Sequence, residues 1–145
     1  MASHAHDPVA DELAIRNVVA RYADAVWRRD GEAWEATWAP EARWSLPGGH
    51  EVTGRAKIRA AWERAMSRYP TVVQLVHQGE VIVDGDSASG RWFLAERGTT
   101  IDDDPIDHVG TYDDIYVRTA DGWRFASRHF EVVAVGTAGL SPTDR

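Results

Sequence analysis

The stretch that most constrains this chain runs from Asp107 to Val135. It holds two long runs rich in β-branched and aromatic residues, Thr111 to Arg118 and Trp123 to Val135. Between them sits Thr119-Ala120-Asp121-Gly122, and Asp-Gly between apolar runs marks a tight hairpin turn. A lone hairpin is marginal in water. Strands this long therefore need a neighbour over their apolar face, and the rest of the chain has the pattern to supply one.

Met1 to Asp7 is polar and reads as a loose tail, in which His4 and His6 are incidental rather than a metal site. Pro8 to Arg29 reads as a helix: Ile15, Val18, Val19, Tyr22 and Val26 fall on one face at 100° per residue. Trp27 lies on its flank, about 120° from Ile15. Gly31 is expected to stop this helix. Glu32 to Trp38 reads as a short second helix with Trp34 and Trp38 on one face, closed by Pro40. A short strand, Ala42 to Leu46, and the loop Pro47-Gly48-Gly49-His50 come next. A third helix follows Thr53-Gly54 and runs to Arg68, with Ile58, Ala61, Trp62, Ala65 and Met66 as its stripe. From Thr71 the period changes to 2, giving strands Val72 to Val83 and Ala88 to Arg97 around the turn Asp84-Gly85-Asp86. Asp102-Asp103-Asp104-Pro105 reads as a solvated acidic loop rather than a calcium site. The order is α+β: three helices, one early strand, then a four-strand antiparallel meander. One domain is expected over residues 8–136, with tails at 1–7 and 137–145. A sheet curved around a long helix makes a cone with an open, apolar mouth.

Bulk properties exclude several functions. The chain has 145 residues, 43% hydrophobic and 27% charged, as in a globular protein. A net charge of −7 argues against a nucleic-acid partner. No apolar run approaches the roughly 18 residues of a membrane span, and the N-terminus lacks a signal peptide's apolar core, so a cytoplasmic location is expected. The absence of cysteine rules out disulfides and thiolate chemistry. The histidines and carboxylates have no metal-ligand spacing, and there is neither a phosphate loop nor a nucleophile elbow. No metal or cofactor is therefore expected. Seven Trp suit a core, and also a pocket for a flat apolar ligand.

Several segments in this order carry a family likeness. They are Ala14-Ile15 through Tyr22, Trp38-Ala39-Pro40-Glu41-Ala42-Arg43-Trp44, Thr53-Gly54, and His77 ahead of Val83-Asp84-Gly85-Asp86. Tyr112-Asp113-Asp114-Ile115-Tyr116-Val117-Arg118 with Asp121-Gly122-Trp123-Arg124-Phe125 complete the set. Together the chain resembles the NTF2-like superfamily, in its SnoaL-like branch. The resemblance implies a cone fold and a homodimer or homotrimer, which the apolar outer sheet face also favours. It leaves function broad, since this fold hosts dehydratases, dehydrochlorinases, isomerases, cyclases and non-catalytic binders.

In the dehydratases and dehydrochlorinases of this branch, a strand histidine removes a proton and a first-helix aspartate orients it. A last-strand arginine and often a first-helix tyrosine complete the site. By position these imply His77, Arg128 and Tyr22 as catalytic residues here. The aspartate's place holds Trp27, whose indole only donates and so cannot accept the imidazole N–H. Trp27, Trp44, Trp92, Tyr112, His108 and Asp114 are expected to line the pocket around a small apolar organic ligand. His108, Gly110, Tyr112 and Asp114 alternate onto one face: if it is the concave one, Asp114 is in reach of Arg128 or His77, and if it is the convex one, they are interface residues. Two functions follow. One is a cofactor-independent lyase, isomerase or cyclase moving a proton with His77 on an apolar, oxygenated ring substrate. The other is a non-catalytic small-molecule-binding protein, which Trp27 favours.

Overall fold

The computed structural model describes residues 6–136. Residues 1–5 and 137–145, with His4 and most of both expected tails, lie outside the described residues. Helix α1 is Pro8–Arg28, with Pro at its first turn and the Asp7 side chain accepting from the Val9 N–H at 3.0 Å. Its buried face is Ile15, Val18, Val19, Tyr22, Ala25 and Val26. Gly31 does not stop it. Arg29 does, in the left-handed region at φ 58°. The Arg29 guanidinium holds that conformation by donating to the Tyr69 and Met66 carbonyls, each at 2.7 Å. Gly31 instead opens α2, Gly31–Glu35, where a Cβ would collide with the Arg59 guanidinium. Helix α3 is Arg55–Met66. Trp34 of α2 stacks on Trp62 of α3 with centroids 4.9 Å apart.

Among the described residues, seven strands form one curved, open sheet in the order β2-β1-β7-β6-β5-β3, with β4 also pairing β5. They are β1 Trp38–Leu46, β2 His50–Thr53, β3 Thr71–Val76, β4 Glu80–Asp84, β5 Ser87–Thr99, β6 Pro105–Thr119 and β7 Gly122–Val135. All pairings are antiparallel except β1 with β7. The α+β cone read from the sequence is the fold the chain adopts. Trp38 belongs to β1 rather than to the second helix, and His50 opens a strand rather than closing a loop.

Two of the sheet's irregularities decide where His77 and Arg128 face. The expected strand Val72 to Val83 is two strands. Val76 pairs Leu94 and Glu80 pairs Arg91, so His77, Gln78 and Gly79 stand against only Trp92 and Phe93. That extra residue is a bulge, and it switches the inward set from Val72, Gln74 and Val76 to Val81 and Val83. Gly79 is required there, because a Cβ would run into the Arg91 carbonyl. A second bulge lies in β7: Phe125 pairs Tyr116 while Ser127 pairs Ile115. Ala126 is the extra residue, so Phe125 and Arg128 both turn inward and are fully buried.

Candidate active site

Between α1, α3 and the concave face of the sheet lies a cavity of about 410 Å³. Tyr22, Val26, Trp62 and Met66 wall it from the helices, and Trp44, Val72, Tyr112 and Phe130 from the sheet. The polar groups are concentrated in one row. Gln74 on β3 pairs across to Glu96 on β5, which pairs across to His108 on β6. Direct cross-strand partners point to the same face, so all three enter the cavity together. The Gln74 amide donates to Glu96 Oε2 at 2.7 Å and to the Tyr112 hydroxyl at 3.0 Å. A carboxylate only accepts, so the Gln74 amide turns its NH₂ rather than its oxygen toward Glu96. His108 Nε2 lies 2.9 Å from Glu96 Oε1, at side-chain exposures of 20% and 16%. That contact is close in distance but off the N–H line, so it is not a formed hydrogen bond. Burial raises the phenols of Tyr22 and Tyr112 above their ordinary value, and both stay protonated and able to donate.

Behind this row is a second, sealed network. The Arg128 guanidinium donates through Nε and Nη2 to the two oxygens of Asp114, at 2.8 and 2.9 Å, with both side chains fully buried. Tyr116 donates to Asp114 Oδ2 at 2.6 Å, and the Trp92 indole donates to the Tyr116 hydroxyl at 2.9 Å. The guanidinium carbon sits 3.6 Å over the Tyr112 ring, 4.2 Å over Phe125 and 4.4 Å over Tyr22. Burial alone would lower the pKa of Arg128, but the Asp114 carboxylate overrides it and the guanidinium stays charged. Burial, then the Asp114 charge, pushes the Tyr116 phenol up.

The expected site residues therefore divide into three groups. Tyr22, Trp44, Tyr112 and His108 line the cavity. Arg128, Asp114 and Trp92 do not reach it, and of the two partners open to Asp114 it takes Arg128. His77 and Trp27 lie outside the cone. His77 is exposed on a shallow groove beside Arg16 and Ala20, turned away by the β3–β4 bulge. Trp27 is 57% exposed, because α1 buries the face centred on Val18 and Tyr22. One pocket shared by His77, Trp27 and Arg128 is thus corrected. Gln74 and Glu96 were missed from the sequence. The signal was available for Glu96, which continues the inward alternation Trp92, Leu94, Glu96 as a carboxylate at an apolar position.

A family model described as a SnoaL-like domain matches residues 7–129. An uncharacterized protein of Mycobacterium tuberculosis strain H37Rv is 28% identical over 123 residues, covering 83% of this chain and 84% of that protein. Among solved structures, a candidate dehydratase of the NTF2-like family from Streptomyces avermitilis superposes with a TM-score of 0.78 at 18% identity, over 88% of this chain and 100% of that one. A hexachlorocyclohexane dehydrochlorinase from Novosphingobium barchaimii LL02 superposes with a TM-score of 0.80 at 17% identity, over 91% and 93%. At these identities the superpositions speak for the fold.

Proposed function

The chain belongs to the SnoaL-like domain family, and on that premise we propose that it is a cofactor-independent lyase or isomerase whose base is His108, oriented by Glu96. The observation that carries the reading is the 2.9 Å approach of these two side chains inside a largely apolar cavity. Neutral His108 takes a proton from a carbon beside a carbonyl of a small, largely apolar ring substrate. Glu96 stabilises the imidazolium so formed, and general-base help of this kind contributes about 10²–10⁴-fold in rate. The protonated phenols of Tyr22 and Tyr112 donate to the oxyanion that develops on the carbonyl. Return of the proton to a second carbon completes an isomerisation. Loss of a leaving group from the adjacent carbon completes an elimination, the type of reaction named for the dehydratase and dehydrochlorinase neighbours.

The test is proton exchange of 2-tetralone, a flat bicyclic ketone, in D₂O, followed by NMR. We expect exchange above the buffer rate, reduced about 10²-fold or more in His108→Ala and less in Glu96→Gln. His77→Ala leaves it unchanged. A second reading, a non-catalytic small-molecule binder, is favoured by Trp27 in the place of the usual aspartate and by the outward-facing His77. Calorimetric binding of the ketone with exchange no faster than buffer would decide for it.

A further inference from the structure

The sealed network touches the cavity through one side chain. Tyr112 shows its hydroxyl to the cavity, where Gln74 donates to it at 3.0 Å. The other face of its ring meets the Arg128 guanidinium at 3.6 Å from the centroid, the shortest of the three ring contacts that cation makes. Arg128 is fully buried and absent from the cavity lining, so no ligand touches it. Its Nε and Nη2 are committed to Asp114, and Nη1 has no hydrogen-bond partner among the described residues. Much of the charge is thus left to the aromatic faces. A cation over a phenol ring interacts more strongly with the electron-rich phenolate than with the neutral phenol. It therefore favours any partial negative charge that builds on the Tyr112 oxygen as that hydroxyl gives up its proton to an acceptor.

We infer that Arg128 is a positioning residue that acts through the Tyr112 ring, making its hydroxyl a stronger hydrogen-bond donor toward an oxygen bound in the cavity. This rests on the cone being the reaction site proposed above, and it replaces direct contact of Arg128 with substrate. The groups facing Tyr112 pull in opposite directions. Burial, the Tyr22 phenol from α1 and the Glu96 carboxylate from β5 oppose its ionisation, whereas Arg128 from β7 favours it. His108 and Gln74 stand beside Glu96 in the same row, and Asp114 holds the guanidinium from the far side. Asp114 thereby offsets part of the cation's field, while the charge that acts on Tyr112 from this pair is that of Arg128, 3.6 Å from its ring centroid.

The experiment places 3,5-difluorotyrosine at position 112 of the full chain, which lowers the phenol's pKa, and follows it by ¹⁹F NMR without any ligand. Replacing the pair together, Arg128→Leu with Asp114→Leu, is expected to raise the pKa of that residue by at least about one unit, a tenfold change in its ionisation constant. Arg128→Lys, which keeps a cation and the Asp114 partner but loses the flat stacking, should give a smaller rise. The same label at position 22, 4.4 Å from the guanidinium, should shift less than at 112. An unchanged pKa at position 112 in both variants overturns the inference, and the lysine variant alone can do so if the double variant does not fold. The readout is independent of turnover. A shift without 2-tetralone exchange defeats the reaction and leaves the coupling standing, whereas exchange without a shift does the reverse.

Discussion

Removing one partner of the Arg128–Asp114 pair should be far more damaging than removing both. Each side chain is fully buried, and each supplies the other with two hydrogen bonds of 2.8 and 2.9 Å. In Arg128→Leu, Asp114 keeps only the Tyr116 hydroxyl at 2.6 Å, and a carboxylate stands in the core without a cation. Breaking a buried pair in this way costs about 3–5 kcal/mol, a large part of the ~5–15 kcal/mol that holds a domain together. For a chain of this length that is a fall in Tm of roughly 10–15 °C. Asp114→Leu should cost a similar amount, because it strands the guanidinium with ring faces alone. The double replacement by leucine removes both desolvated charges. Its loss is then mostly the volume difference at position 128, about 1–2 kcal/mol. The coupling between the two sites should accordingly be several kcal/mol. Urea denaturation of the wild type, both single variants and the double variant, at constant m-value, measures it directly. Additive losses, with the double variant as unstable as the two singles combined, would refute this account of the core.

Three further outcomes are expected. Asp11 accepts from Arg118 at 2.8 and 2.7 Å and from the Trp123 indole at 3.0 Å, and those hydrogen bonds hold its carboxyl at about 2. A depressed carboxylate stabilises the fold fully above its ordinary value of 3.8 and loses that contribution as pH falls toward about 2; thermal melts of Asp11→Asn should therefore lack the acid-dependent component that the wild type shows in this window. Gly98→Ala should cost about 1–3 kcal/mol in denaturant melts, because its Cβ would strike the Thr71 carbonyl, and amide exchange should quicken first in β3. Leu75, Phe93 and Ile115 are each nearly half exposed on the sheet face away from the helices. We expect a homodimer or homotrimer through that face, seen by light scattering and weakened by Phe93→Asp; a wild-type monomer at micromolar concentration would defeat this.

The long first helix was legible because it obeys one period throughout, and the β6–β7 hairpin because its Asp121-Gly122 turn and apolar runs are local signals. Ile15, Val18, Val19, Tyr22 and Val26 repeat at helical spacing and are all buried. The site was less legible because two bulges change the parity of the strands that build it. Period-2 reading groups His77 with Val81, yet the residue inserted between them turns His77 outward and Val81 inward. Arg128 is read as sharing a face with Ala126, whereas the β7 bulge sets it beside Phe125. A bulge depends on the partner strand's register, which no single strand's sequence displays. Glu96 was obscured for a different reason. Its neighbour Arg97 makes the pair look like the solvated end of a strand, although the alternation Trp92, Leu94, Glu96 points inward, and the pairing with Gln74 and His108 makes that plain.

The two polar layers of the cone answer different demands. In the deeper one, Trp92, Tyr116, Asp114 and Arg128 form a chain in which every link but Nη1 of the arginine is closed by a hydrogen bond. Such a network specifies one arrangement of the sheet's inner face and gives nothing to a ligand. In the outer one, Gln74 Oε1 and His108 Nε2 are both left without a hydrogen-bond partner among the described residues. Unmet polar groups of this kind are costly in the free protein and are tolerated where binding or chemistry makes use of them. Tyr112 belongs to both layers, since its ring rests on Arg128 and its hydroxyl meets Gln74. The rigidity of the closed layer is thereby passed to the floor of the open one. Substitutions at Asp114 or Arg128 should disturb the cavity even though neither residue borders it, and substitutions at Glu96 or His108 should disturb the chemistry while leaving the fold largely intact.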